Sequence, residues 1–260
     1  MEISAQAREQ ARDLLNFIDA SPSPWHAVQT VADRLQRSGF IALREDERWQ
    51  LAPGGRYYVI RGGASIDAFT VGGDDLAVSG FRLVGAHTDS PGLRVKPKAL
   101  QGGDGLLRLG VEVYGGPILA TFADRDLSLA GRVAVRNGAS IEMRLVRFAE
   151  PLLRLPNLAI HMNREVNDNG LKFNKQTELP LVLDLAGDGP VEDGRFHAFL
   201  ATQLAVAPAD ILSWELCVCD TQPGAFWGAG QAFVADSQLD NLASCHAGLS
   251  ALLGVENAAT

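Results

Sequence analysis

Phe81-Arg82-Leu83-Val84-Gly85-Ala86-His87-Thr88-Asp89 is the stretch on which the reading of this 260-residue chain turns. The run from Phe81 to Ala86 is apolar on both faces, the pattern of a central strand covered by helices. Such a strand would deliver His87 and Asp89 from its end on rigid backbone, an imidazole and a carboxylate where metal-dependent hydrolases hold their ions. A carboxylate two residues from a ligating histidine can orient that ring or a neighbouring base. The triplet alone is a weak signal, because most His-x-Asp sequences bind nothing. Its weight comes from its surroundings.

Upstream, the spacing predicts two helices. Ala7, Ala11, Leu14, Leu15 and Ile18 form one apolar stripe over Ala5 to Ala20. Ser21-Pro22-Ser23-Pro24 breaks the chain, with Ser23 placed as N-cap and Pro24 at the first helical position of a second helix that Gly39 stops. His26 on that helix reads as a surface or capping residue. From Arg56 the period changes to that of strands: Tyr57 to Arg61, Ser65 to Val71 and Phe81 to Ala86, with breaks at Gly62-Gly63 and Gly72-Gly73. Helices followed by buried strands point to a layered α/β domain.

Downstream of Pro97 the texture is different. Leu106 to Val113, Ser128 to Val135 and Ser140 to Phe148 are short, alternating, turn-bounded strands, which mark an inserted or separate β-rich domain. A helix is expected over Arg195 to Val206, a strand over Trp214 to Asp220, and a last helix over Leu239 to Leu253. The expected domains are 1–96, the N-terminal part of the first domain; 97–233, the β-rich insertion; and 234–260, a return to the first domain.

The 47% apolar and 21% charged residues are those of an ordinary soluble globular protein. With a net charge of -8, nucleic acid and anionic membrane are poor partners. No segment has the length of a membrane span, and MEISAQAREQARDLLNF is polar where a signal peptide would be apolar, so a cytoplasmic location is expected. Cys217, Cys219 and Cys245 form no metal or disulfide framework and read as reduced, buried thiols.

Val84-Gly85-Ala86-His87-Thr88-Asp89-Ser90-Pro91-Gly92-Leu93-Arg94 resembles the first metal-ligand motif of the aspartyl aminopeptidase (M18) family of metallopeptidases. Ser21 to Val28 resembles the family's N-terminal turn and helix. Tyr114-Gly115-Gly116, Asp124-Arg125-Asp126-Leu127-Ser128-Leu129-Ala130-Gly131-Arg132-Val133, Leu158-Ala159-Ile160-His161 with Asn163-Arg164, and Asp220-Thr221-Gln222-Pro223 resemble its insertion domain. Leu239-Asp240-Asn241-Leu242 resembles its second metal motif. The blocks stand in the family's order along nearly the whole chain. Phe122-Ala123 departs from the Trp-Phe expected there, a change of packing.

The resemblance implies an α/β fold: a three-layer zinc-peptidase-like domain, incomplete here, with an inserted β-rich dimerisation domain. It implies a zinc-dependent aminopeptidase that releases acidic N-terminal residues, Asp or Glu, from peptide substrates, assembled as a dimer-based homo-oligomer that reaches a dodecamer in the family. Two divalent ions about 3.5 Å apart can polarise a peptide carbonyl and acidify a bridging water. A carboxylate must bridge them, and a free carboxylate must take the water's proton. By resemblance His87 would bind one zinc ion and Asp240 would bridge both, while Asp89 would hold the base or an imidazole in place. His161 would stabilise the oxyanion in a neighbouring subunit's site, or serve as a further zinc ligand. Without the resemblance, Asp240 reads as an N-cap at the start of the last helix. His197 and His246 match no family position and read as structural.

The family's Glu-Glu pair after the bridging aspartate, its later acidic ligand and its final histidine have no counterpart between Asn241 and Thr260. Glu45, Glu47, Glu192 and Asp193 lie before Asp240 in polar stretches and do not replace them. The chain is therefore expected to be inactive alone, as a fragment of a longer product or a chain that needs partners, with an apolar helix face and a sheet edge left uncovered. The rival reading is a non-catalytic module that acts in assembly through the β-rich domain. A related binuclear carboxypeptidase or deblocking aminopeptidase is disfavoured by the Asp-Arg-Asp-Leu-Ser-Leu block.

Overall fold

A computed structural model describes residues 3–72, 80–187, 190–192 and 194–255. Gly73, Asp193 and residues 256–260 lie outside them. The chain divides into two compact units, Met1–Ser90 with Pro223–Thr260, and Pro91–Gln222. The expected bounds at 97 and 233 lie inside strands.

The first unit opens with α1 (Ala5–Asp19), whose N-cap Ser4 accepts the Ala7 N–H at 3.2 Å. Helix α2 (Pro24–Arg37) starts as expected, with Ser23 as N-cap and Pro24 in the first turn, where a missing N–H costs nothing. Its end is built by Gly39. The Phe40 N–H bonds to Leu35 O and the Gly39 N–H to Gln36 O, both at 3.0 Å. That pairing requires the left-handed backbone Gly39 adopts at φ 82°, and it brings the buried Phe40 back near Leu35. Strands β1 (Ile41–Leu43), β2 (Arg56–Arg61) and β3 (Ser65–Thr70) form a three-stranded sheet, parallel between β1 and β2 and antiparallel between β2 and β3.

The expected strand from Phe81 to Ala86 is not present. The segment has no ladder partner among the described residues, and Phe81, Leu83 and Val84 are 78%, 89% and 83% exposed. An apolar run becomes a strand only where a neighbour accepts and donates its backbone hydrogen bonds. Hydropathy carries no information about that neighbour.

The second unit contains β4 (Gly92–Gly103), β5 (Leu106–Tyr114), β6 (Leu127–Asn137), β7 (Ser140–Arg147), a single helical turn α3 (Val166–Asn169), β8 (Leu181–Leu185), α4 (Gly194–Leu204) and β9 (Ile211–Asp220). The strands make one antiparallel sheet in the order β7-β6-β9-β4-β5-β8. Strand β4 escaped the sequence reading because Pro97 cannot donate to a ladder. The strand accommodates it by shifting register against β5 between Val95 and Leu100. Strands β6 and β9 approach closely at Gly131, where a Cβ would lie 2.0 Å from Glu215 O. Leu93, Leu109, Leu129, Val133, Leu181 and Leu216 fill the core on one face, and α4 covers it with Phe196 and Leu200. The Phe196 ring meets Trp214 edge-on, with centroids 5.0 Å apart, and His197 packs edge-on against the same indole.

The chain then returns to the first unit with the hairpin β10 (Ala225–Trp227) and β11 (Phe233–Ala235) and with α5 (Leu239–Leu253). Leu242 and Leu249 bury the apolar side of α5 against Phe17, Ile18, Ala27, Val31 and Leu35 of α1 and α2. Each large side chain so buried stabilises the unit by about 1.5–3 kcal/mol. The uncovered apolar surface expected on this helix lies instead on Phe81 to Val84. A polar tie joins the three helices: Asp13 of α1 accepts two hydrogen bonds from Arg34 of α2, at 2.7 and 3.0 Å, and pairs with His246 Nε2 of α5 at 2.7 Å.

Candidate functional site

Three of the four expected site residues meet in the first unit. The segment from His87 to Ser90 is irregular, so its shape is set by tethers. Thr88 Oγ1 donates to Ala64 O at 2.7 Å, in the turn between β2 and β3, and Ser90 Oγ donates to Asp240 O at 3.3 Å. The Cys245 thiol on α5 donates to His87 O at 3.2 Å.

His87 presents its two ring nitrogens to different partners. Nδ1 lies 3.0 Å from the carbonyl O of Asp89 and 3.3 Å from its Oδ1. With that nitrogen held as the N–H, the Nε2 lone pair is directed outward, and Nε2 lies 3.7 Å from Asp240 Oδ1. The His87 side chain is 55% exposed and that of Asp240 97% exposed.

Asp240 reaches this position by leaving helical geometry. Gln238, in the left-handed region, occupies the N-cap without a side-chain cap bond, and Asp240 itself has extended φ/ψ of -89° and 107°. The Asp240–Asn241 peptide is cis. With Gln238 at the N-cap, Asp240 stands in the first turn, and its carboxylate faces His87.

Two donors of one zinc ion at about 2.0–2.1 Å in tetrahedral geometry stand about 3.3 Å apart. The separation of 3.7 Å between Nε2 and Oδ1 is about 0.4 Å wider than that, within the adjustment two exposed side chains can make. The donors suit zinc as a borderline imidazole and carboxylate set. No group of three His, Cys, Asp or Glu able to hold a metal ion occurs among the described residues.

His161 belongs to the second unit, exposed on the short turn Ile160–Met162. The family-like blocks around it form its support. Asp124, with φ 57°, accepts the Asn157 backbone N–H at 3.0 Å and the Asn157 side-chain amide at 2.9 Å, bonds that hold its carboxyl below the usual carboxylate range. Arg125 pairs with Asp220, and Arg154 with Asp126. Thr221 donates to Asp126 O through both its N–H and its hydroxyl. The Asp-Arg-Asp and Asp-Thr-Gln-Pro blocks thus pin the segment that leads into Leu158 and His161.

The other histidines keep structural roles: His26 Nδ1 meets the Ser23 hydroxyl at 2.7 Å, and His246 belongs to the Asp13 tie. In the sequence Cys245 reads as one more buried thiol, and nothing in its spacing announces a bond to the His87 carbonyl. For Ser90, its place inside the metal-like motif is the usable signal.

Residues 17–260 match the family described as aminopeptidase I zinc metalloprotease (M18). A relative from Azotobacter vinelandii, "Probable M18 family aminopeptidase 2", is 49% identical over 250 residues, covering 94% of this chain and 57% of its own length. The Pseudomonas fluorescens protein of the same name is 50% identical over 248 residues with the same coverage. Among solved structures, that of an Ape4 and Nbr1 complex superposes with a TM-score of 0.91 at 34% identity, over 99% of this chain and 54% of that one. The Chaetomium thermophilum mApe1 structure gives 0.87 at 29% identity, over 97% and 60%. The chain spans little more than half the length of these proteins, and its mixed α/β architecture is theirs. With a profile match over almost all its residues and relatives near half identical, this chain belongs to the M18 family of zinc metallopeptidases.

Proposed function

We propose that this chain contributes His87 and Asp240 to the two-zinc centre of an aminopeptidase that releases acidic N-terminal residues, Asp or Glu, from peptides. The observation that carries the reading is the outward Nε2 of His87, fixed by Asp89 behind it and facing the exposed carboxylate of Asp240 at 3.7 Å. His87 would bind one ion and Asp240 would bridge both, with Asp89 orienting the imidazole. When bound, the zinc pair would polarise the scissile carbonyl and acidify a water. His161, on its supported turn, would act on the oxyanion of a neighbouring subunit's site rather than as a ligand in its own.

Two donors do not close a binuclear site, and with Asp240 read as the bridge and Asp89 as the group that orients His87, no carboxylate beside His87 among the described residues is left to act as the base a peptidase needs. The 260-residue chain by itself is therefore expected to turn over no peptide. The three cysteines are free, in keeping with a cytoplasmic protein, and no described helix is long and apolar enough to cross a membrane.

A second reading, assembly without catalysis, is favoured by the surface of the second unit. Ile141, Met143 and Leu145 form an exposed apolar row on the edge strand β7, and Leu158, Ile160 and Met162 are exposed around His161. Edge strands with apolar rows invite pairing with another chain. One solved neighbour is described as the S. cerevisiae mApe1 dodecamer.

Zn²⁺ titration of the chain and of His87→Ala, followed by assay on Asp- and Glu-terminal peptides, tests the reading. Zinc uptake lost in His87→Ala, without turnover by either protein, is the expected result. Zinc uptake untouched by His87→Ala would defeat the ligand assignment, and zinc-dependent turnover by the wild-type chain would defeat its inactivity.

A further inference from the structure

The side chains of His87 and Asp240 are exposed, so packing does not fix their separation. Their backbones do. The two segments are tied to each other twice, in opposite directions: the Cys245 thiol of the Asp240 helix donates to the carbonyl of His87, and the Ser90 hydroxyl of the His87 segment donates to the carbonyl of Asp240. Each candidate donor residue therefore has its own carbonyl held by the other's segment.

The face of α5 turned to this segment carries small side chains. Cys245 and Gly248, three residues apart, lie on one side of the helix. A Cβ added at Gly248 would lie 3.6 Å from Val84 Cγ1, an ordinary van der Waals contact. From this face the Cys245 thiol reaches the His87 carbonyl. Thr88, bonded to Ala64 O, anchors the segment from the other side.

We propose that Cys245 and Ser90 are positioning residues, a reciprocal clasp that sets the distance between His87 Nε2 and Asp240 Oδ1. The proposal rests on the reading of those two residues as zinc ligands. Ligand distances in metal sites are held within about 0.2 Å, and the partners that orient ligands are worth about tenfold or more in affinity. Here the orienting bonds act on the main chain of each donor.

The test is Zn²⁺ affinity, measured by competition with a chromophoric chelator on the whole chain, beside amide hydrogen exchange of residues 81–90. Cys245→Val removes the donor at similar size, Cys245→Ser restores one, and Ser90→Ala removes the other tie. Ser250→Ala, exposed on the same helix, is the control, and His87→Ala reports on the site itself. Cys245→Val and Ser90→Ala should each weaken zinc binding by about tenfold, with Cys245→Ser within about twofold of wild type. Exchange at residues 87–90 should quicken in the two donor-less variants and remain unchanged in the control.

Wild-type affinity in both donor-less variants, with binding abolished by His87→Ala, overturns the clasp and leaves the ligand reading standing. Should the wild-type chain take up no zinc, the ligand reading falls, and exchange decides the clasp separately. Faster exchange at residues 87–90 then supports it as a device that fixes the segment, and unaltered exchange overturns it.

Discussion

Two apolar stretches of this chain meet opposite fates. Leu127 to Val135 in β6 lies between β7 and β9, bonded to a neighbour on both edges, with Leu129 and Val133 wholly buried. Phe81 to Ala86 is as apolar, yet it has no ladder among the described residues and its large side chains face outward. The difference is not in the stretches. It lies in what stands beside them: a strand is a relation between segments, and its burial follows from the ladder. The same contrast separates the units. The second is held by a continuous antiparallel sheet. The site-bearing part of the first is held by individual side-chain ties: Thr88, Ser90 and Cys245 around His87, and Asp13 with Arg34 and His246 behind α5.

Truncation breaks this comparison most sharply. Leu129→Ala should cost about 3 kcal/mol in urea unfolding, because a sheet core closes poorly around a cavity. Leu83→Ala should change stability by less than about 0.5 kcal/mol, as expected of an exposed position. A large loss from Leu83→Ala would mean that the segment is covered in solution.

The ties of the first unit should show in the pH dependence of stability. Burial raises the Asp13 carboxyl, but the hydrogen bonds from Arg34 and His246 outweigh it and hold the carboxyl below the usual carboxylate range. A depressed folded-state value contributes stability above the unfolded value of about 3.9, and the contribution is lost as pH falls through the folded value. Asp13→Asn should therefore destabilise by about 1 kcal/mol near neutral pH, a modest figure because the carboxylate is half exposed. The gap to wild type should persist down to about pH 5 and close below about pH 4. A gap that grows in acid would contradict the tie.

The smallest effect concerns thiols. Cys219, largely buried in β9, is pushed up to about 12 by burial, whereas Cys245 is raised less by partial burial beside the irregular segment. Alkylation at pH 8 followed by mass spectrometry should modify Cys245 ahead of Cys219, since the thiolate is the reactive form. Equal rates would show that the sheet of the second unit opens as readily as the site.

Several local features are legible in the sequence. Ser23-Pro24 and Gly39 bound α2 because capping and left-handed backbone are chemical properties of those residues alone. Strands β5, β6 and β7 followed from alternation, and the ordered motif blocks named the family. Strand β4 was hidden by Pro97, whose missing donor is tolerated only because the register shifts there, and that shift depends on β5. The extent of β9 was underread for a similar reason, since Ile211 to Ser213 pair with β6 rather than announcing themselves.

His87, Asp89 and Asp240 stood out in the chain by residue type and motif, because zinc chemistry accepts few donors and a short range of spacings. Their meeting did not. Asp240 lies far from His87 in sequence and could have capped a helix. Only the packing of α5 on α1 and α2, with its extended first residues, turns the carboxylate toward the imidazole. Residue identity limits what chemistry a chain can perform, while distances between remote residues come from long-range packing and backbone bonds, which no local pattern encodes.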